Sequence, residues 1–419
     1  MLFSPLTKSK LQSSKAFLNR ARQGLLKGTV STPSYILPTN LGIIPGIMNM
    51  NLPEISPVPV QFSLADIYHL REVIEKYQSD YPSLSSQTKN QNEPNPLLSY
   101  LNHQKDTVSL LTMSTCGSDK ILGNYKTMEM DIPSTIHPGN KNRLSLQDFS
   151  AAIATFKPDL FITPTHSITA KTSKKKRERA VKTSREYINP SVLNLVKDRG
   201  PQALMTISIE ESYPKISPII DEKISQFGEK ISGYFFNTHS LKPQTRLGVF
   251  QKFYERYPTD EKLRVLESSG NPTEVLENLV LNGIDLFEAR YPIDVSEKHH
   301  CLAFDTEMPN EWRSTPVDTE FIKESLSNPT KTPRTLDLSR SEFRKDSTVL
   351  TPGSKSPLTN SITRSYIHHL LDCKEMNASI LLTIHNIHVY DNFFKAVRSH
   401  IADNTLEIYT QWFLQTQCK

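Results

Sequence analysis

Between residues 107 and 292 the chain alternates short, β-prone apolar runs with longer amphipathic ones, and this alternation restricts its fold more than any other feature. "TVSLLTMS" (107–114), "PDLFITPT" (158–165), "QALMTISI" (202–209), "KLRVLESS" (262–269) and "DLFEARYP" (285–292) read as strands. Among and between them, "SLQDFSAAIATF" capped by Ser145, "SKKKRERAVKTSREYI", "IIDEKISQFGEKI" and "NPTEVLENLVLNG" read as helices. Upstream, "GLLKGTVSTPSYILP" (24–38) reads as strand, turn and strand, and "FSLADIYHLREVIEKY" (62–77) as a helix with Ser63 as N-cap. Strands joined through helices make βα units, and their strands pair in parallel. So many units in one chain favour an α/β, (β/α)8 TIM barrel over an open sheet.

Two segments depart from that rhythm. Residues 80–98 are polar and proline-rich and read as a loop. Residues 306–362 carry Ser, Thr, Pro and charge with few apolar positions, a polar insertion. We therefore expect a barrel body over 1–305, the insertion over 306–362, and helices over 363–419 that pack on the barrel. In the last of these, Ile384, Ile387, Phe394, Val397 and Ile401 form one apolar stripe.

Composition excludes some functions and permits others. No apolar run reaches the ~18 residues of a membrane helix. The four cysteines, Cys116, Cys301, Cys373 and Cys418, are widely spaced without a C-x-x-C pair, and the opening residues lack a secretory apolar core. Both point to a reducing, cytoplasmic setting without disulfides. No acidic residue precedes Glu54, whereas six lysines and arginines fall between Lys8 and Lys27, so association with mitochondria stays open, although the segment reads as part of the fold. With 14 glycines in 419 residues, glycine-rich catalytic loops cannot be plentiful. A net charge of +5 and a pI near 8.8 permit a nucleic-acid partner.

Five stretches carry a resemblance. "TRSYIHHLL" (363–371) is similar to a T-R-A-Y-[IL]-H-H-L helix, and "LLTIHN" (381–386) to the L-L-[ST]-x-H-N that follows it. "LDLSRSEFRKD" (336–346) resembles an acidic approach ending in [FY]-R-x-D. "GNPTEVLENLVLNGIDLFE" (270–288) resembles a G-x-P…G-[IV]-D-[LM]-F-[DE] segment, and "TVSTPSYILPT" (29–39) a T-P-x-[FY]-x-P-x-x-T entry strand. Taken in their order along the chain, these motifs resemble those of the tRNA-guanine transglycosylases. The resemblance implies a TIM barrel that exchanges a guanine base of tRNA for queuine or a precursor through a covalent tRNA–aspartate intermediate.

Each functional position of that family can be placed on this chain. The nucleophilic aspartate corresponds to Glu288, a carboxylate one methylene longer; an ångström of misplacement costs roughly 100-fold in such attack. Nothing in the chain resembles the D-S-G-G-F-Q loop of the general acid/base, and "YPIDVSEKHH" lacks the arginines that hold the anticodon loop. Thr165 stands near the aspartate that reads the base, and Thr206, Glu210 and Glu211 replace residues of a glycine-rich loop. The family's three zinc thiolates fall on Ser354, Ser356 and Thr359, with His385 as the fourth ligand. Hydroxyls stay protonated at neutral pH and do not replace thiolates, so no zinc or other cofactor is expected. A replacement set of His368, His369, Cys373 and His385 is the weaker alternative.

Together these departures imply a non-catalytic, accessory member of the family. The partners implied are a catalytic queuine tRNA-ribosyltransferase subunit, in a heterodimer, and tRNA. Two other readings stay open: a divergent enzyme with Glu288 as nucleophile, and a tRNA-binding scaffold without that partner. Lys174, Lys175, Lys176, Arg177, Arg179, Lys182 and Arg185 are candidates for tRNA phosphates, against a simply solvated basic face. Tyr366, His368 and His369 are candidates for the interface; adjacent histidines point about 100° apart on a helix and cannot share one site.

Overall fold

Eight parallel strands close on themselves in the computed structural model. It describes residues 3–6, 20–47, 55–81, 95–104, 106–113, 122–124, 129–133, 141–164, 173, 175, 186–196, 200–208, 218–237, 242–257, 261–327, 331–351 and 359–419. The barrel strands are β1 (Ser34–Pro38), β2 (Pro59–Ser63), β3 (Val108–Thr112), β4 (Leu160–Ile162), β5 (Gln202–Ser208), β6 (Ile231–Asn237), β7 (Leu263–Leu266) and β8 (Leu286–Glu288). Each pairs with the next in chain order, and β8 closes onto β1 with Phe287 opposite Tyr35. The α/β TIM-barrel expectation is met.

The strands read as nearly continuous apolar runs because both of their faces are covered. Ile36, Leu110, Leu160, Leu204, Val265 and Leu286 form the barrel interior. Their neighbours Tyr35, Leu37, Leu111, Phe161 and Phe287 join the layer between strands and helices, as period-two alternation requires. The N-terminal strands Phe3–Pro5, Gly24–Leu26 and Val30–Thr32 add Phe3, Leu26 and Val30 to that interior. Beside them, Arg22 grips Asp285 with two parallel bonds of 2.7 and 2.6 Å, and Arg264 N–H donates to the same carboxylate at 2.8 Å. The Asp of "GID" is thus a clamp below β8 rather than a group of the mouth.

Local signals placed several elements well. Ser145 forms a reciprocal capping box with Asp148. Asn271 caps the helix Pro272–Asn282 by accepting from Thr273 N–H, and Gly283 ends it at φ +61. A Cβ on Gly233 would lie 2.6 Å from Leu263 O, so the approach of β6 to β7 needs glycine.

Other elements differ from the sequence reading. Ile231 begins β6; the helix before it spans Pro218–Phe227 and ends in a 3-10 turn, Gly228–Lys230. Neither β6 nor the helix Pro243–Arg256 was expected. β2 was likewise unread, and the helix expected over 62–77 is split into Leu64–Ile67, a 3-10 turn Tyr68–Leu70, and Arg71–Asp80. Ser63 makes no capping bond. As the last residue of β2, its side chain shares a face with that of Gln61.

The helix Met376–Ala402 covers the β8–β1 seam: Tyr390 packs edge-on against Tyr35, with centroids 5.0 Å apart, and Phe394 meets Phe287. Within 306–362 lies a helix, Thr319–Ser327, whose Ile322 and Leu326 join the main core. A separate apolar cluster unites Cys301, Leu338, Phe343, Leu350, Ile367, Leu370, Ala378 and Leu382 beneath the helix Arg364–Asp372.

Candidate functional site

TIM-barrel chemistry sits at the C-terminal ends of the strands, and β8 delivers Glu288 to that mouth as its last residue. Glu288 is only 2% exposed. Gln61 of β2 donates Nε2–H to its Oε1 at 2.6 Å, and the same nitrogen lies 3.3 Å from Thr112 Oγ1 at the end of β3. Ser268, two residues past β7, donates its hydroxyl to the Glu288 carbonyl at 2.7 Å. A bond to a carboxylate is roughly twice as strong as a neutral one, so Gln61 holds one oxygen of Glu288 against the barrel wall. Sequence reasoning missed Gln61 and Thr112; the polar positions 61 and 63 flanking Phe62 were the available signal.

Farther round the mouth, Thr163 and Thr206 bond reciprocally: Thr206 N–H donates to Thr163 Oγ1 at 2.9 Å, and Thr206 Oγ1 to Thr163 O at 2.7 Å. Both threonines therefore spend polar groups on the wall itself. Met113, directly after β3, is buried. Glu267, one residue beyond β7, brings another carboxylate-bearing residue to this end of the barrel. Thr165, Glu210 and Glu211 lie outside the described residues.

The family's metal position has a different chemistry here. His385 is fully buried on the helix Met376–Ala402. Its Nε2 is 3.0 Å from Thr351 Oγ1 and 3.4 Å from Leu302 O, and its Nδ1 is 3.3 Å from Thr359 Oγ1. Burial lowers its pKa to about 4, outweighing the Leu302 carbonyl, so the ring is neutral. Thr359, at a family thiolate position, is thus a neutral partner of this imidazole; Ser354 and Ser356 lie outside the described residues. One imidazole and two hydroxyls do not fit zinc, which wants thiolates or further imidazoles.

The replacement set does not assemble: among the described residues no three His, Cys, Asp or Glu side chains gather as metal ligands. His368 is buried, with Nδ1 2.9 Å from Leu338 O and Nε2 3.4 Å from Asp372. It is buried beside Leu338 of the satellite cluster, while Tyr366 and His369 are exposed.

What the C-terminal motifs retain is packing. Asn386 Oδ1 accepts from Leu302 N–H at 2.8 Å, while its Nδ2 donates to Ser296 Oγ at 2.9 Å and to His300 O at 3.0 Å. Thr363 caps its helix through Tyr366 N–H, and Arg364 reaches back to Asp346 at 3.2 Å, joining two of the motifs. Of the basic run, only Lys175 is described, helical and exposed; Lys174, Lys176, Arg177, Arg179, Lys182 and Arg185 lie outside the described residues.

No described helix is long and apolar enough to cross a membrane. The family model for queuine tRNA-ribosyltransferase matches residues 19–419. A queuine tRNA-ribosyltransferase-like protein of Plasmodium falciparum (isolate 3D7) is 24% identical over 92% of this chain and 94% of its own. Queuine tRNA-ribosyltransferase accessory subunit 2 of Culex quinquefasciatus is 26% identical over 90% of this chain and 82% of its own; that of Danio rerio is 23% identical over 95% and 97%. With the barrel, the carboxylate at its mouth and the joined C-terminal motifs already in place, a match over this span shows that the chain belongs to the queuine tRNA-ribosyltransferase family.

Proposed function

We propose that this chain is the non-catalytic subunit of a heterodimeric queuine tRNA-ribosyltransferase, supporting tRNA binding while a catalytic subunit exchanges the wobble guanine of GUN anticodons for queuine. The observation that carries this reading is the state of Glu288. It is buried at the mouth and held by Gln61 at 2.6 Å, where a nucleophile must present an oxygen to a ribose carbon within about 3.5 Å. The neutral threonine pair farther round the mouth and the names of the mosquito and zebrafish relatives point the same way.

The subunit works without structural zinc. The apolar cluster under the helix Arg364–Asp372 and the Asn386 bonds do the joining that a metal would do. Each fully buried Leu or Ile in such a cluster contributes about 1.5–3 kcal/mol. The exposed side of that helix, with Tyr366 and His369, meets the catalytic subunit, and the basic run from Lys174 to Arg185 follows tRNA phosphates, adding salt-dependent affinity without reading sequence. The setting is cytoplasmic.

The test is incorporation of labelled queuine or guanine into tRNA by this chain, by a catalytic homologue, and by their mixture. Activity confined to, or strongly raised in, the mixture supports the accessory role. Turnover by this chain alone, abolished in Glu288→Gln, establishes the divergent-enzyme reading instead.

A further inference from the structure

Away from the mouth and from His385, one buried cluster of charges does not balance. Arg246, on the helix Pro243–Arg256, donates from Nη1 to Glu274 Oε1 at 3.1 Å and from Nη2 to Glu277 Oε2 at 3.2 Å, both on the helix Pro272–Asn282. Arg246 is 5% exposed and Glu277 1%. Among the described residues, Glu277 Oε1 and Arg246 Nε have no hydrogen-bond partner. We propose that Arg246, Glu274 and Glu277 form a proton-linked latch between these two helices, closed while its two carboxylates hold one proton between them and loosened when that proton leaves.

One guanidinium faces two carboxylates that stand three residues apart, on one face of their helix. Fully ionised, the cluster carries an uncompensated negative charge away from water, and a group so placed takes up a proton instead. The proton falls to Glu277. Glu274 accepts from Ser269 N–H at 3.2 Å and from Ser269 Oγ at 2.6 Å besides Arg246, and such bonds favour its charged form. Glu277 has Arg246 as its one partner among the described residues. Burial lifts its pKa from 4.5 to about 7, against the pull of Arg246 and with the push of Glu274. Other charged groups on the packed elements point elsewhere. The helix Thr319–Ser327 gives Ile322 and Leu326 to the core and leaves Glu320, Lys323 and Glu324 exposed. Lys252, Glu255 and Arg256 of the Arg246 helix are exposed, and Arg264 of β7 reaches the Tyr254 ring and Gly283 O.

Deprotonation breaks only the Glu277 O–H bond, passes the proton to solvent, and leaves two anions competing for one cation. Through Glu274 the change reaches the mouth. Ser269 O accepts from Tyr291 N–H at 3.0 Å, and its neighbour Ser268 holds the Glu288 carbonyl. Rising pH therefore loosens the loop after β7 together with the helix pair.

Urea unfolding of the full chain is compared with that of Glu277→Gln, a neutral side chain of the same shape, across a pH series. The unfolded chain releases this proton near 4.5 while the fold keeps it to about 7, so between those values rising pH destabilises the wild type through Glu277 and spares the variant. The two unfolding constants should nearly coincide at the acid end, diverge by about tenfold per pH unit in favour of the variant, and run parallel above neutrality. Hydrogen exchange of the wild type, corrected for the chemical rate, should show 243–256 and 267–277 losing protection through neutral pH more than the barrel strands do. A variant less stable than wild type at every pH, as for an ordinary ion pair, overturns the proposal. So do curves parallel throughout, or exchange in those segments that follows the rest of the barrel. These readouts involve no tRNA, so base-exchange results leave them unaffected.

Discussion

Replacing Asn386 with alanine should destabilise the protein by about 3 kcal/mol. Asn386 is fully buried, and its amide spans three partners on the segment 296–302: Leu302 N–H at 2.8 Å, Ser296 Oγ at 2.9 Å and His300 O at 3.0 Å. Its orientation is fixed because Leu302 N–H demands an acceptor, which places Oδ1 there and the donor nitrogen toward the other two. Alanine removes every one of these bonds, and each buried polar group left without a partner costs about 1–3 kcal/mol. Ser296→Ala breaks one of the three, and with it the bond from the Ser296 hydroxyl to Pro292 O at 2.8 Å, and should cost about 1–2 kcal/mol. The assay is urea unfolding of both variants and the double variant, with and without chelator. The double variant should fall short of the sum of the single ones, since the Ser296 bond is counted in both. A loss below about 1 kcal/mol in Asn386→Ala would refute the idea that this motif is retained for packing. So would a loss that appears only in chelator, since the joint would then depend on metal.

Glu288→Gln should leave the turnover of the mixed complex unchanged, whereas losing a true nucleophile costs roughly 10⁴-fold or more; single-turnover base exchange decides. Charge reversal at Lys175 and Arg179 should weaken tRNA binding and make it less steeply salt-dependent, measured by filter binding across a salt series. His385, neutral in the fold with its pKa lowered from 6.5 to about 4, should destabilise the protein as pH falls. Below 6.5 the unfolded chain takes up the proton first, and the loss stops growing below about 4. Its full extent is about 3 kcal/mol. Urea midpoints for wild type and His385→Asn should therefore converge between these pH values, and parallel curves would exclude the mechanism.

Elements bounded by strong local signals were legible in the sequence. Ser145 with Asp148, and Asn271 with Pro272 and Gly283, announce their helices whatever surrounds them. β6 was not legible as "ISGYFFN", because it follows a helix after only a three-residue turn and its aromatic run matches no single period. β2 was hidden by the helical spacing that begins at Phe62, and only its pairing with β1 and β3 defines it as a strand. Glu288 could be picked out by motif, but its restraint could not. Gln61 lies 227 residues away in sequence, and the barrel's closure brings the two together. Thr351 and Thr359 likewise acquire meaning only when the chain folds back on His385.

The covered seam between β8 and β1 also governs the order of assembly. β1 is among the first barrel strands to leave the ribosome, yet its partner β8 begins at Leu286 and the helix over their junction at Met376. Until both have emerged, the edge of β1 and the ring of Tyr35 stay uncovered. Contacts this distant in sequence slow folding, and exposed strand edges invite aggregation during that delay. A chain truncated before Met376 would leave the seam open, and with it the edge through which such barrels misassociate.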